Sequence, residues 1–208
     1  MDVCDDRGVD AVTRPFDVLI VGGAAGTGKT RLSRELVKRY QTTMCEFDDI
    51  VEALKAMTTA VQQPVLHYWD THPEAMSWSA EEIVALTNRV CDVLAPAAEA
   101  VVANHIDNGD ALVIEGDYLT PRLVVRLQDL MTGQPTRIRG VFLYEPDEPQ
   151  INANFRAREP TIHDQTGRAR VSWLRGQGMR AECGRLGVPA LPARPWSTLP
   201  DRVVDQVS

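Results

Sequence analysis

Apolar positions along this chain follow two rhythms in turn. Asp17-Val18-Leu19-Ile20-Val21 is a short apolar run, the pattern of a buried strand. Arg31 to Tyr40 then carries Leu32, Leu36 and Val37 at helical spacing. Thr43 to Phe47 reads as a second strand, ending in Asp48-Asp49, with helical spacing through Ile50, Val51, Leu54 and Met57. Residues 61–78 read as irregular, with Pro64, Pro73 and the rings of Tyr68, Trp69 and Trp78. Ser79-Ala80-Glu81-Glu82 is a capping box that opens a long helix through Ile83, Leu86, Val90, Val93 and Leu94 toward Ile106. Pro96 is expected to kink or split that helix, and Asn108-Gly109-Asp110 to end it.

The pattern then repeats. Ala111 to Glu115 is a third strand, and Thr120-Pro121 an N-cap followed by proline in the first helical turn. Leu123, Val124, Leu127 and Leu130 carry the helix. Ile138 to Tyr144 is a fourth strand, followed by a helix over Asp147 to Arg158 that Pro160 ends. A polar loop over 160–168, a helix over Arg170 to Leu186 and a short fifth strand over Val188 to Leu191 come next. Ser197 or Thr198 caps a final helix reaching Val207. Strands alternating with helices predict an α/β fold, a five-stranded, mostly parallel sheet with helices on both faces. Residues 1–14 read as a loose tail and 15–208 as one domain.

That sheet gives one loop its meaning. Gly23-Ala24-Ala25-Gly26-Thr27-Gly28-Lys29-Thr30 fits the G-x-x-x-x-G-K-[ST] phosphate-binding pattern, with a strand before it and a helix after. Glycines let main-chain N–H groups turn inward, and the helix N-terminus adds partial positive charge. The expected nucleotide-binding residues are Gly23, Ala25, Gly26, Thr27, Gly28, Lys29 and Thr30. Lys29 reaches phosphate oxygens, and Thr30 holds Mg²⁺. Ligands on such sheets bind at the carboxyl ends of strands, which brings Asp48, Asp49, Glu115 and Asp117 to the same edge. Asp48 or Asp49 serves as an acceptor-side acid or caps the helix; Glu115 supports Mg²⁺, directly or through water; Asp117 and Tyr118 join the acceptor side. His67 and Tyr68, in the polar-aromatic cluster 67–72, read equally as a substrate loop and as ring packing. His67 and His72 lack the companions of a metal site.

Charge refines the picture. The chain has 208 residues, with 22 basic and 29 acidic side chains and a net charge of −7. An acidic surface argues against nucleic-acid or anionic-membrane partners. Arginines nonetheless crowd 150–186, Arg156 and Arg158 before the polar loop and Arg168 and Arg170 after it. Two helices joined by such a loop suggest a lid over about 150–172 that brings guanidinium groups to a transferring phosphoryl. Four scattered cysteines without C-x-x-C spacing, an acidic start and no long apolar run fit a cytoplasmic protein.

The glycine loop, Phe47-Asp48-Asp49-Ile50, Val113-Ile114-Glu115-Gly116-Asp117-Tyr118-Leu119-Thr120-Pro121 and Phe155-Arg156-Ala157-Arg158 together resemble small P-loop kinases of metabolites. Within these, the chain is similar to the 2-phosphoglycerate kinase group and its uncharacterised relatives over roughly residues 16–160. The resemblance implies a P-loop NTPase fold with a helical lid, and ATP and Mg²⁺ as cofactors. It implies phosphate and Mg²⁺ roles for Lys29 and Thr30, an acceptor-side role for Asp48 and lid roles for Arg156 and Arg158. The aromatic segment 67–72 has no counterpart in that group. The expected activity is therefore transfer of the γ-phosphoryl of Mg-ATP to a hydroxyl of a small molecule, phosphoglycerate-like or, as an alternative, a natural product or antibiotic. A nucleotide-driven switch and a kinase-like toxin are competing classes, and the oligomeric state, a homodimer included, stays open.

Overall fold

The computed structural model describes residues 14–133, 135–162 and 164–208, so most of the tail expected over 1–14 lies outside the described residues. Five strands, β1 (Val18–Gly23), β2 (Thr43–Glu46), β3 (Leu112–Glu115), β4 (Ile138–Tyr144) and β5 (Ala190–Pro192), form one sheet in the order β2-β3-β1-β4-β5. Every pairing is parallel. The helices are α1 (Lys29–Tyr40), α2 (Phe47–Met57), α3 (Tyr68–Thr71), α4 (Ala80–Asp107), α5 (Pro121–Leu130), α6 (Glu148–Arg158), α7 (Thr166–Leu186) and α8 (Leu199–Val207). This is a P-loop NTPase-like α/β fold.

Side chains alternate across the central strand and bury it twice over. Val18 and Ile20 join one core with residues of α2, α4, α5 and α7. Leu19 and Val21 join a second with Leu32 and Leu36 of α1 and Leu199, Val203 and Val207 of α8. A strand covered on both faces reads as an unbroken apolar run, which is why 18–21 shows no polar alternation. Register aligns the carboxyl ends: Val21 pairs with Glu115, and Glu115 with Glu46. Gly140 of β4 sits under Val124 of α5, where a Cβ would collide with the valine methyls.

Several local expectations shift. Phe47 opens α2 instead of closing β2. Segment 61–78 contains α3 and a 3₁₀ turn at Pro73–Ser77. Pro96 neither splits nor ends α4, which runs 28 residues. Pro96 is exposed, so the carbonyl it leaves unpaired faces water, where solvent satisfies it. The Ser79 capping box is formed, Ser79 Oγ accepting from Glu82 N at 3.2 Å and Ser79 N donating to Glu82 Oε2 at 2.9 Å. Ser79→Ala is expected to destabilise the fold by about 1 kcal/mol, read as a lower denaturant midpoint with unchanged slope.

Candidate active site

The phosphate-binding pattern occupies the carboxyl end of β1, the middle strand. Gly23, Gly26 and Gly28 have φ of 137°, 77° and 82°, a region that glycine enters without strain. Aromatic rings also press on the loop. A Cβ at Gly28 would run into the Trp196 ring, and one at Gly26 would press on Phe155 at 3.0 Å. A concave, main-chain-lined cradle of this kind suits a phosphate chain. Thr27 Oγ1 donates to Ala24 O at 2.7 Å and folds the loop on itself.

Side chains from three strand ends converge there. Lys29, 6% exposed, forms an ion pair with Asp117 and donates to Ala24 O at 3.2 Å. Thr30 Oγ1 donates to Glu115 Oε1 at 2.6 Å. These oxygens are hard donors of the kind Mg²⁺ takes, a few from protein and the rest from phosphates and water. Among the described residues no cluster of three or more His, Cys, Asp or Glu could hold a metal alone. Burial pushes the Glu115 carboxyl up, opposed by the Thr30 hydrogen bond. Asp117 behaves oppositely: burial disfavours its charge, but Lys29 and Arg175 outweigh burial and hold the carboxyl below the ordinary value. Asp48 is in the first turn of α2, and desolvation by the surrounding cleft, followed by the Asp117 charge, raises its carboxyl.

The cleft has two connected cavities. One, of about 670 Å³, is lined by Gly26, Gly28, Lys29, Thr30, Asp48 and Glu115, with Arg158, Arg168 and Trp196 at its rim. The other, of about 840 Å³, is lined by Tyr118, Trp69, Trp78, Ile83, Arg175 and their neighbours. Ala25, Asp117, Phe155 and Arg168 wall both.

The expected site residues divide accordingly. Ala25, Gly26, Gly28, Lys29, Thr30, Asp48, Glu115, Asp117, Tyr118 and Arg158 come together around the cleft, whereas Gly23, packed on the Leu143 main chain, and buried Thr27 shape the loop without lining it. Asp49 is exposed and lines neither cavity, nor does it cap α2, whose N-cap is Glu46. Arg156 is exposed and also lines neither cavity. It lies one residue after Phe155, about 100° round the helix, whereas Arg158 is three residues on and shares the Phe155 face. Arg158 and Arg168 flank the Phe155 ring at 5.4 and 4.8 Å and share Glu159, at 2.7 and 2.6 Å. His67 bonds Thr58 Oγ1 at 3.0 Å, and Tyr68 stacks on His72 with ring centres 3.8 Å apart. Both pack within their own segment, and Trp69 and Trp78 line the larger cavity in their place.

Three site features escape a linear reading. Arg175, 5% exposed, donates to the Asp117 main-chain carbonyl. Ser172 donates to Ala25 O, and Asn154 Nδ2 to Gly26 O at 2.9 Å, so α6 and α7 are tied to the cradle. Arg168, Ser172 and Arg175 are spaced four and three apart, a helical stripe that could have been found in the sequence. Glu145, 1% exposed, grips Arg194 with both oxygens at 2.8 and 2.7 Å and fixes the segment that carries Trp196.

The sequence matches no family model and no curated protein. Similar solved structures exist, among them three at low identity. A provisionally assigned kinase from Chloroflexus aurantiacus is 19% identical, with a TM-score of 0.52 over 93% of this chain and 97% of its own. A gluconokinase from Sinorhizobium meliloti is 14% identical, with a TM-score of 0.49 over 93% and 91%. A shikimate kinase from Acinetobacter baumannii, in complex with shikimate, is 14% identical, with a TM-score of 0.48 over 91% and 92%. The first of these likenesses supports the fold described above, and the fold alone. The resemblance to the 2-phosphoglycerate kinase group finds no support among them. No helix among the described residues is long and apolar enough to cross a membrane.

Proposed function

We propose that the chain is an ATP-dependent kinase of a small hydroxyl-bearing molecule. One observation carries the reading: a glycine cradle with its lysine and threonine adjoins a second cavity, Asp117 walls both, and Asp48 lines the cradle side. A switch ATPase has no use for an acceptor chamber walled by the same residues as the phosphate site. The similarity in fold to a provisionally assigned kinase is consistent with this reading.

Thr30 and Glu115 would hold Mg²⁺ together with phosphate oxygens, and the ion when bound neutralises phosphate charge. The remaining chemistry belongs to the chain. Main-chain amides of the cradle orient the triphosphate, and Lys29 leaves Asp117 to meet the phosphate oxygens. Asp48 accepts the proton of the acceptor hydroxyl as its oxygen bonds to the γ-phosphorus. The bond from that phosphorus to the bridging oxygen breaks, and the electron pair leaves with ADP. Arg158 and Arg168 exchange Glu159 for the equatorial oxygens, where charge-assisted hydrogen bonds steady the developing charge. The raised Asp48 carboxyl suits a base, because proton affinity closer to working pH favours transfer.

ADP release should depend on acceptor. A library of hydroxyl compounds screened by coupled ADP detection with Mg-ATP is expected to show at least tenfold stimulation by a subset. Phosphate release at one slow rate regardless of acceptor would instead favour the switch class.

A further inference from the structure

The larger cavity identifies what kind of acceptor it takes, an inference that rests on the kinase reading. Trp69 and Trp78 are half-buried and turn toward the space between α4 and α7. Trp78 is held firmly: the Tyr68 ring lies 5.5 Å from it at 51°, and the next residue is the Ser79 cap of α4. Ile83 and Val171 extend the apolar wall. A rigid tryptophan presents a large flat surface at small entropic loss and stacks on other rings.

The charged side chains at this cavity are already matched. Arg170 pairs with Glu148 at 3.0 Å, and Arg168 with Glu159 at 2.6 Å. Arg175 is committed to the Asp117 carbonyl and the Cys91 sulfur, and its Nε is buried without a partner. Asp117 and Asp164 add negative charge to the same walls. A phosphorylated acid brought here would compete with the transferred phosphoryl group for Arg168 and sit beside the Asp117 and Asp164 carboxylates. The volume, about 840 Å³, falls in the roughly 300–1,000 Å³ range of sites for drug-sized ligands.

We propose that the acceptor is an alcohol with a flat, apolar body, aromatic or fused-ring, which stacks between Trp69 and Trp78 and points its hydroxyl toward Asp48 and Asp117. The tests are binding measurements on the full chain, with a non-hydrolysable ATP analogue and Mg²⁺ present. Phenylpropanediol and naphthylethanol serve as probes, against phosphoglycerate and gluconate, by saturation-transfer NMR. Calorimetry of the nucleotide runs in parallel. Binding of the aromatic alcohols is expected, weakened at least tenfold by Trp78→Ala, largely kept by Trp78→Phe, with nucleotide affinity unchanged. Trp69→Ala, on a separate helix, supplies the same comparison if Trp78→Ala does not fold. Three results overturn the proposal: no binding of either aromatic alcohol at millimolar concentration, binding indifferent to both Trp78→Ala and Trp69→Ala, or preference for phosphoglycerate or gluconate. In each of these the nucleotide still binds, so the kinase reading survives. Absence of nucleotide uptake removes both.

Discussion

Lys29→Ala is expected to lower acceptor-dependent ADP formation by roughly 10³-fold or more, the scale seen when a charged group that steadies a phosphoryl transition state is removed. Lys29 is almost wholly buried and aimed along the cradle, with Asp117 as its partner. Its loss removes the cation without removing the loop. The variant should stay folded, because Asp117 keeps Arg175 as a neighbour and a 27% exposed side chain that water can reach. Circular dichroism and a thermal melt check the fold, and the coupled assay checks turnover. A folded Lys29→Ala protein with normal turnover contradicts the assignment.

Asp48→Asn is the second large effect. Removing a general base is expected to reduce turnover by about 10²–10⁴-fold while leaving nucleotide affinity intact. Single-turnover rates and nucleotide calorimetry separate the two. Equal losses in both would place Asp48 in support of Mg²⁺ instead. The pH dependence adds a sign. As the proposed base Asp48 would work as the carboxylate; although its surface is open to solvent, desolvation by the surrounding cleft and then the Asp117 charge raise its carboxyl above the ordinary aspartate value. Activity should fall as pH drops through that raised value, so the acid limb of kcat/KM is expected above the usual aspartate range. In Asp48→Asn that limb should disappear from the residual activity.

The strand, loop and helix around the cradle were legible because their signals are local: an apolar run, fixed glycines, a capping box and an N-cap before proline. The two-sided core followed from the alternation of Val18 and Ile20 with Leu19 and Val21. What the chain hid was phase and convergence. In segment 67–72 the sequence shows a cluster of rings, and only the short turn of α3 decides that Trp69, not Tyr68, meets the cavity. Near Phe155 the same applies: a rotation of one residue separates Arg156 from Arg158. Pro96 does not split α4, because the hydrogen bond it removes lies at an exposed position where water can take its place. Arg175 was the deepest omission. The helical stripe Arg168–Ser172–Arg175 was there to be read, but the partner of Arg175, the Asp117 carbonyl, lies 58 residues away in sequence and only the fold supplies it.

Ala25, Asp117, Phe155 and Arg168 belong to both chambers, and the cradle carbonyls are tethered to α6 and α7 through Asn154 and Ser172. Donor and acceptor therefore press on common ground. A shift of these shared walls by one ligand would reach the other. If the kinase reading holds, each ligand's affinity is expected to depend on the other's presence, by the same factor in both directions.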